Sequence, residues 1–275
     1  MNAPSAPLTS RLRTLLDTLE HGLVERTQVV RLCLLTALAG EHTLLIGPPG
    51  TAKSELARRL RSVFRDARYF ERLLTRFSVP EELFGPLSIQ ALEQDRYERH
   101  TAGFLPDAEI AFIDEVFKAN SAILNALLTL LNEREFDNGS GRQHCPLISA
   151  IGATNEVPED EVAEAFFDRF LVRVPVGPVS AAGFAALLEA GCGDAWQAPQ
   201  EALTLDHGDL ATLAAAAGQV ELPARIAGVL AALREHLAGE GLYVSDRRWV
   251  KSLWLMRVAA ASEQRGAVGL WDLLL

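Results

Sequence analysis

Lysine is nearly absent from this chain of 275 residues: of 26 basic residues, only Lys53, Lys118 and Lys251 are lysines. A lysine standing where a motif demands one is therefore not random filling. Cysteine is equally scarce. Cys33, Cys145 and Cys192 are an odd number at wide, unpatterned spacing. That excludes a disulfide frame or a cysteine metal cage and suits reduced thiols in a cytoplasmic protein. The six histidines form no ligand pair with useful spacing. No stretch of about 18 apolar residues runs without a charge, so no membrane span is expected. The opening Met1-Asn-Ala-Pro-Ser-Ala-Pro-Leu-Thr-Ser10 lacks the basic and apolar blocks of a secretory signal. Positive charge is in deficit as well. A net charge of -10 repels phosphate backbones and argues against general nucleic-acid binding.

What is present is the balance of an ordinary globular protein, with 49% hydrophobic and 23% charged residues. The length suits one large domain or two smaller ones. Leu12, Leu15, Leu16, Leu19 and Leu23 recur at helical spacing, and a second helix is expected through Val30, Leu34 and Leu38, stopping at Gly40. Thr43-Leu-Leu-Ile46 reads as a buried parallel strand feeding a Gly-Pro-Pro-Gly turn, and Ser54–Val63 as the following helix. Strand-like runs return at Ala111–Ile113 and Leu147–Ala153, with helical periodicity from Ala122 to Leu131 between them. Such alternation predicts an α/β parallel sheet covered by helices on both faces. Two hairpin insertions interrupt it: Leu87–Leu92 with Arg96–Thr101, and one turning at Asn138-Gly139 toward a strand near Cys145. After Val176-Gly177-Pro178 the chain becomes Ala- and Leu-rich and helical, which sets an expected domain boundary near residue 178. The uncapped apolar end Asp272–Leu275 reads as part of a longer protein.

Gly47-Pro48-Pro49-Gly50-Thr51-Ala52-Lys53-Ser54 lies between a strand and a helix. That context lets backbone N–H groups and a helix N-terminus surround a phosphate, Lys53 add charge to the outer phosphates, and Ser54 ligate Mg²⁺. Ala52 replaces the last glycine of the G-x-x-x-x-G-K-[ST] pattern, which is tolerable if Ala52 has helical dihedrals. About 60 residues on, Glu109-Ile-Ala-Phe-Ile-Asp114-Glu115 reads as an apolar strand ending in two carboxylates. Ligands of parallel sheets gather at the carboxyl ends of strands. Asp114 can then hold the Mg²⁺ shell and Glu115 orient or polarise an attacking water. The strand ending in Thr154-Asn155 would set Asn155 beside them, holding water or the γ-phosphate, or merely closing the strand in a turn.

Together, GPPGTAKS, AFIDE, the Ala-Thr-Asn strand end and Phe167-Asp168-Arg169-Phe170 resemble the MoxR group of AAA+ ATPases, and within it the RavA subfamily. Gly22-Leu-Val-Glu-Arg26, Phe77–Gln90 and Ser245-Asp-Arg-Arg-Trp249 strengthen the likeness, which covers nearly the whole chain. The resemblance implies a P-loop AAA+ module over residues 1–178 and a smaller all-α lid over 179–275, assembled as a homo-hexameric ring with ATP between subunits. It implies that Arg169 is an arginine finger acting on the neighbour's γ-phosphate, a task suited to a planar, always-charged fork. It makes Arg247 the lid arginine that senses nucleotide, with Arg248 one register away, and sets Val24 and Glu25 against the adenine. The hairpins would face the ring pore. Relatives work on protein substrates, commonly with a von Willebrand factor A-domain partner, so an ATP-driven, chaperone-like remodeller is the leading expectation. A regulatory scaffold with little turnover and a DNA-directed AAA+ protein are the rivals. Arg58, Arg59, Arg61, Arg65, Arg68, Arg72 and Arg76 could suggest nucleic acid, but no aromatic recurs there at stacking spacing. Solvated helix faces and subunit contacts are the expected use of that stretch.

Overall fold

A computed structural model of the protein describes residues 7–139, 141–156, 161–193 and 195–275. The segment Met1–Ala6, on which the absence of a secretory signal largely rests, lies outside the described residues.

Two helices open the chain. In α1 (Leu8–Glu20), Leu12, Leu15 and Leu19 are buried along one stripe, whereas Leu23 falls beyond the helix end. In α2 (Thr27–Leu38), Val30, Cys33, Leu34 and Ala37 face the same core. Five strands then build one sheet: β1 (Thr43–Ile46), β2 (Tyr69–Leu73), β3 (Ile110–Asp114), β6 (Ser149–Thr154) and β7 (Val172–Pro175), in the order β2-β3-β6-β1-β7. Every pairing is parallel. The crossovers include α3 (Lys53–Arg61), α6 (Ser121–Glu133) and α7 (Glu161–Phe167). Side chains alternate between the faces, as a period of two requires. Leu45, Phe112 and Ile151 join the apolar cluster under α1, α2 and α3, while Leu44, Ala111 and Ala150 join the one under α6 and α7. Burial on both sides explains why β1, β3 and β6 are legible as continuous apolar runs. The edge strands β2 and β7 are not: Tyr-Phe-Glu-Arg-Leu and Val-Arg-Val-Pro each carry charge where one side meets solvent.

The first expected hairpin is corrected. Between β2 and β3 lie two short helices, α4 (Pro80–Phe84) and α5 (Ile89–Leu92), and the backbone pairs only at the bridge Leu87↔Arg99. The Ser88 hydroxyl accepts from the Ala91 N–H, and this cap turns the segment into helix instead of strand. The second hairpin is present as β4 (Glu135–Asp137) with β5 (Arg142–His144), so its returning strand ends just before Cys145. Asn138 Oδ1 accepts from the Arg99 N–H at 2.7 Å, joining the two insertions.

Beyond Pro175 the regular elements are helices: α8 (Phe184–Cys192), α9 (His207–Gln219), α10 (Ala224–Gly239) and α11 (Asp246–Ser262). The buried Arg11 of α1 forms an ion pair with Asp209 of α9 at 2.7 Å. One face of α11 is bonded to the core. Arg248 donates to the Phe170 and Leu171 carbonyls, Lys251 to Glu41 at 2.6 Å, and Trp254 Nε1 to the Ala39 carbonyl at 3.0 Å. Each of these core partners precedes β1 or β7, so α11 docks on the amino-terminal edge of the sheet.

Candidate nucleotide site

The carboxyl edge of the sheet carries the phosphate-type loop. Gly47 follows β1 and donates to the Thr154 carbonyl at 2.9 Å, while the Val176 N–H donates to Ile46 at 2.7 Å. Between them there is no space for a side chain: a Cβ on Gly47 would lie 2.0 Å from the Val176 carbonyl oxygen. Gly50 has φ +80°. The Thr51 hydroxyl donates to the Pro48 carbonyl at 3.0 Å, tightening the turn. Lys53 opens α3 and folds back, its Nζ donating to Gly47 at 2.8 Å and Pro48 at 2.9 Å. Its charge therefore hangs over the loop, beside the free N–H groups of a helix start. Ala52 does not have helical dihedrals. It is left-handed, φ 68° and ψ 22°, the conformation a glycine would adopt at little cost.

Asp114 and Glu115 close β3 on the same edge. Asp114 Oδ1 accepts from the Glu115 N–H at 3.0 Å. Glu115 is itself left-handed, φ 52°, and its carboxylate is paired with Lys118 at 3.3 Å. Non-glycine residues held in this region of backbone space concentrate where function over-determines them. β3 and β6 are neighbours, so Asp114 and the exposed Asn155 stand at the ends of adjacent strands. The donors fit their expected guests. A glycine cradle, an ammonium and a helix start suit a polyphosphate, and the Ser54 hydroxyl with the Asp114 carboxylate are hard oxygen ligands of the kind Mg²⁺ takes.

Beside the loop, Val24 lines a cleft of about 380 Å³ with Pro49–Ala52 on one wall and Pro178, Val179, Phe184 and Leu187 on another. The Glu25 carboxylate accepts from the Ser180 hydroxyl and N–H, which hold it below the usual carboxylate range. The adjacent Arg26 is buried and reaches the Thr51, Glu25 and Gly177 carbonyls. Arg26 closes the Gly22–Arg26 motif, whose sequence alone assigns it no role. An arginine immediately before a helix of apolar periodicity was the available signal.

Arg169 and Arg247 lie elsewhere. Asp168 and Arg169 precede β7, whose four residues span about 13 Å of strand between them and the loop edge. Arg247 bonds Asp168, and Arg173 and Arg248 each approach the same carboxylate to 3.8 Å. The Nε and Nη1 atoms of Arg169 are shielded from solvent with no hydrogen-bond partner among the described residues. Burial, then the neighbouring Arg248, pushes Arg173 down to about 10 against the pull of Asp168. Arg169 thus stands at the opposite end of β7 from the phosphate loop, and Arg247 is bonded to its neighbour Asp168. The arginine-rich stretch is used internally: Arg58 pairs with Glu71, Arg59 with Glu55, Arg65 with Asp206, Arg68 with Asp107 and Arg72 with Glu82. Among the described residues no cluster of three or more His, Cys, Asp or Glu could hold a metal, and no helix is long and apolar enough to cross a membrane.

Residues 10–215 match the family model described as the MoxR domain in the MoxR-vWA-beta-propeller ternary systems, and residues 225–275 match an AAA lid domain. The chain is similar to two uncharacterized proteins of Methanocaldococcus jannaschii. One is 41% identical over 265 residues, covering 96% of this chain and 68% of that protein. The other is 43% identical over 244 residues, covering 88% and 64%. The chain thus spans about two thirds of the length of these relatives. A structural protein of the Acidianus two-tailed virus is 32% identical over 171 residues, 60% of this chain and 28% of its own length. In fold, the chain is similar to the crystal structure of a candidate ATPase from Cytophaga hutchinsonii. The TM-score is 0.78 at 17% identity, over 97% of this chain and 84% of that one.

Proposed function

The chain belongs to the MoxR family of AAA+ ATPases, and from that premise we propose that it hydrolyses ATP between subunits of a homo-hexameric ring and remodels or regulates protein partners in the cytoplasm. The carrying observation is the loop itself: the side-chain-free cradle at Gly47, with Lys53 drawn over it and two carboxylates on the same sheet edge. Residues 1–178 form the nucleotide-binding part and 179–275 the lid. Gly47–Lys53 receive the phosphates, and Val24 and Glu25 border the base. Ser54 and Asp114 hold Mg²⁺, which when bound neutralises charge on the outer phosphates. Glu115 takes a proton from, or orients, the attacking water, and Asn155 holds that water in line. Lys118, paired with the Glu115 carboxylate at 3.3 Å, limits the orientations that carboxylate can take.

Arg169 and Arg247 serve the neighbour's ATP. The strand length separating Arg169 from its own loop supports this assignment. Gly22–Arg26 and Ser245–Trp249 support a RavA-like place within the family. The description of the matched family model supports a von Willebrand factor A-domain partner. Calorimetry and turnover test the core of the proposal together. Lys53→Ala should abolish or strongly weaken ATP binding, and Glu115→Gln should bind ATP normally but hydrolyse it on the order of 10²-fold more slowly. Unchanged affinity in the first, or near-normal turnover in the second, overturns it.

A further inference from the structure

We propose that Arg26 is a positioning residue for the nucleotide, holding the Thr51–Ala52 peptide of the phosphate loop in its binding orientation. The inference rests on the ATP-binding reading above. Arg26 is 7% exposed, and its three hydrogen bonds all end on main-chain carbonyls: Thr51 at 3.3 Å, Glu25 at 3.0 Å and Gly177 at 2.6 Å. A peptide unit is planar and trans, so its C=O and N–H point in opposite directions. With the Thr51 carbonyl turned to Arg26, the Ala52 N–H is turned away from it, to the side that receives phosphate.

The bond matters here because this loop carries alanine at position 52. Its φ of 68° is a conformation that L-residues resist and glycine does not. Left alone, the Thr51–Ala52 peptide would relax toward the right-handed region, rotating that N–H out of the loop. Arg26 prevents this from outside, and the same guanidinium ties the loop to Gly177, where the chain leaves β7 for the helical part. A cation spanning three carbonyls with a planar fork cannot be replaced by an ammonium, which is a point charge with one reach.

The experiment measures ATP affinity by calorimetry on the full chain, with melting followed by circular dichroism so that only folded protein is compared. Arg26→Lys keeps the charge and should weaken ATP about tenfold, and Arg26→Gln should weaken it at least as much. Ala52→Gly removes the need for an external hold. The loss on Arg26→Lys should therefore shrink in the glycine background: the double variant Arg26→Lys/Ala52→Gly should bind ATP within about threefold of Ala52→Gly measured alone. A role limited to general stability would lower melting in Arg26→Lys without any rescue of affinity by glycine. Wild-type affinity in Arg26→Lys, or a loss on Arg26→Lys as large in the glycine background as in the wild type, overturns the proposal while leaving the ATPase reading intact. A wild-type chain that binds no ATP overturns both.

Discussion

Replacing Gly47 by alanine tests the geometry on which the nucleotide site depends. The added Cβ would lie 2.0 Å from the Val176 carbonyl oxygen and 2.9 Å from its carbon, both main-chain atoms that cannot swing aside. Reaching even a tight contact of 3.0 Å moves β1 and β7 apart by about 1 Å. The bond from the Val176 N–H to Ile46, now 2.7 Å, would then stretch past hydrogen-bonding range. Losing it removes about 1 kcal/mol, and leaving its buried groups unpaired costs about 1–3 kcal/mol more. A total of roughly 3 kcal/mol corresponds to a fall in Tm of about 6–12 °C for a chain of this size.

The matched control is Gly50→Ala. Nothing lies within 4 Å of a Cβ there, but φ is +80°, so only backbone strain is added. That costs about 1–2 kcal/mol, or about 2–8 °C. Scanning fluorimetry should therefore rank Gly47→Ala below Gly50→Ala below wild type, and calorimetry should show ATP binding lost in Gly47→Ala. A Gly47→Ala protein melting within 2 °C of the wild type would refute the close approach of β7 to the loop.

Arg247→Ala should leave Tm within about 2 °C but remove turnover, because Arg247 is partly exposed and bonds only a surface carboxylate. Arg248→Ala should instead lower Tm by several degrees, since it strips the Phe170 and Leu171 carbonyls of their donor; the opposite pattern in melting and ATPase assays would exchange the two roles. The stability of the fold should also fall with acid through His42. This buried ring accepts from the Ala150 N–H and bonds the Leu131 carbonyl, so its neutral form is required, and burial with the nearby Arg134 holds it well below its usual range. The unfolded chain takes up that proton below pH 6.5 and the folded chain does not, so stability present above pH 6.5 is lost beneath it. The loss is about 1.4 kcal/mol between pH 7.5 and 5.5. Urea unfolding at the two pH values should show this loss in wild type and not in His42→Gln; equal losses in both would exclude His42 as the cause.

Much of the site was legible because its parts are local. GPPGTAKS names a loop whose neighbours in sequence are its neighbours in space, and the apolar strand before Asp114 announces where that carboxylate points. The low lysine content sharpened the reading: Lys53 lies over the loop, Lys118 on Glu115 and Lys251 on Glu41, so each has a defined partner. The dihedrals of Ala52 were not legible, because nothing adjacent in sequence reveals the Thr51 carbonyl's bond to Arg26, 25 residues away. Nor was the position of Arg247, which depends on how α11 docks. That docking runs through Lys251 to Glu41 and Trp254 to Ala39, contacts more than 200 residues apart along the chain. The short helix at Ile89–Leu92 was misread as strand because a four-residue apolar segment carries no usable period, and a single serine cap decided it.

The two edges of the sheet divide the chemistry. The carboxyl edge holds the loop, Asp114, Glu115 and Asn155; the amino edge holds Arg169, and Arg173, Arg247 and Arg248 gathered on the carboxylate of Asp168. A strand that spans about 13 Å separates the sets along one chain, and on the proposed reading an ATP that meets both sits between two copies. Among the described residues, one aspartate, Asp168, faces three guanidinium groups, and Arg169 Nε and Nη1 have no hydrogen-bond partner. Burial lowers the Arg173 and Arg248 ionisation below the ordinary arginine range, against the pull of Asp168. On that reading a triphosphate presented by a neighbour is a further anion for these guanidinium groups. Turnover per chain should consequently rise with protein concentration and then saturate, as assembly linkage requires. A mixture of Glu115→Gln and Arg169→Ala should recover activity that neither has alone, because some interfaces then pair an intact Glu115 with an intact Arg169. Full activity in Arg169→Ala by itself, or turnover per chain that is constant down to concentrations where only monomer is present, would mean that a single copy completes the site and that the two edges do not meet across subunits.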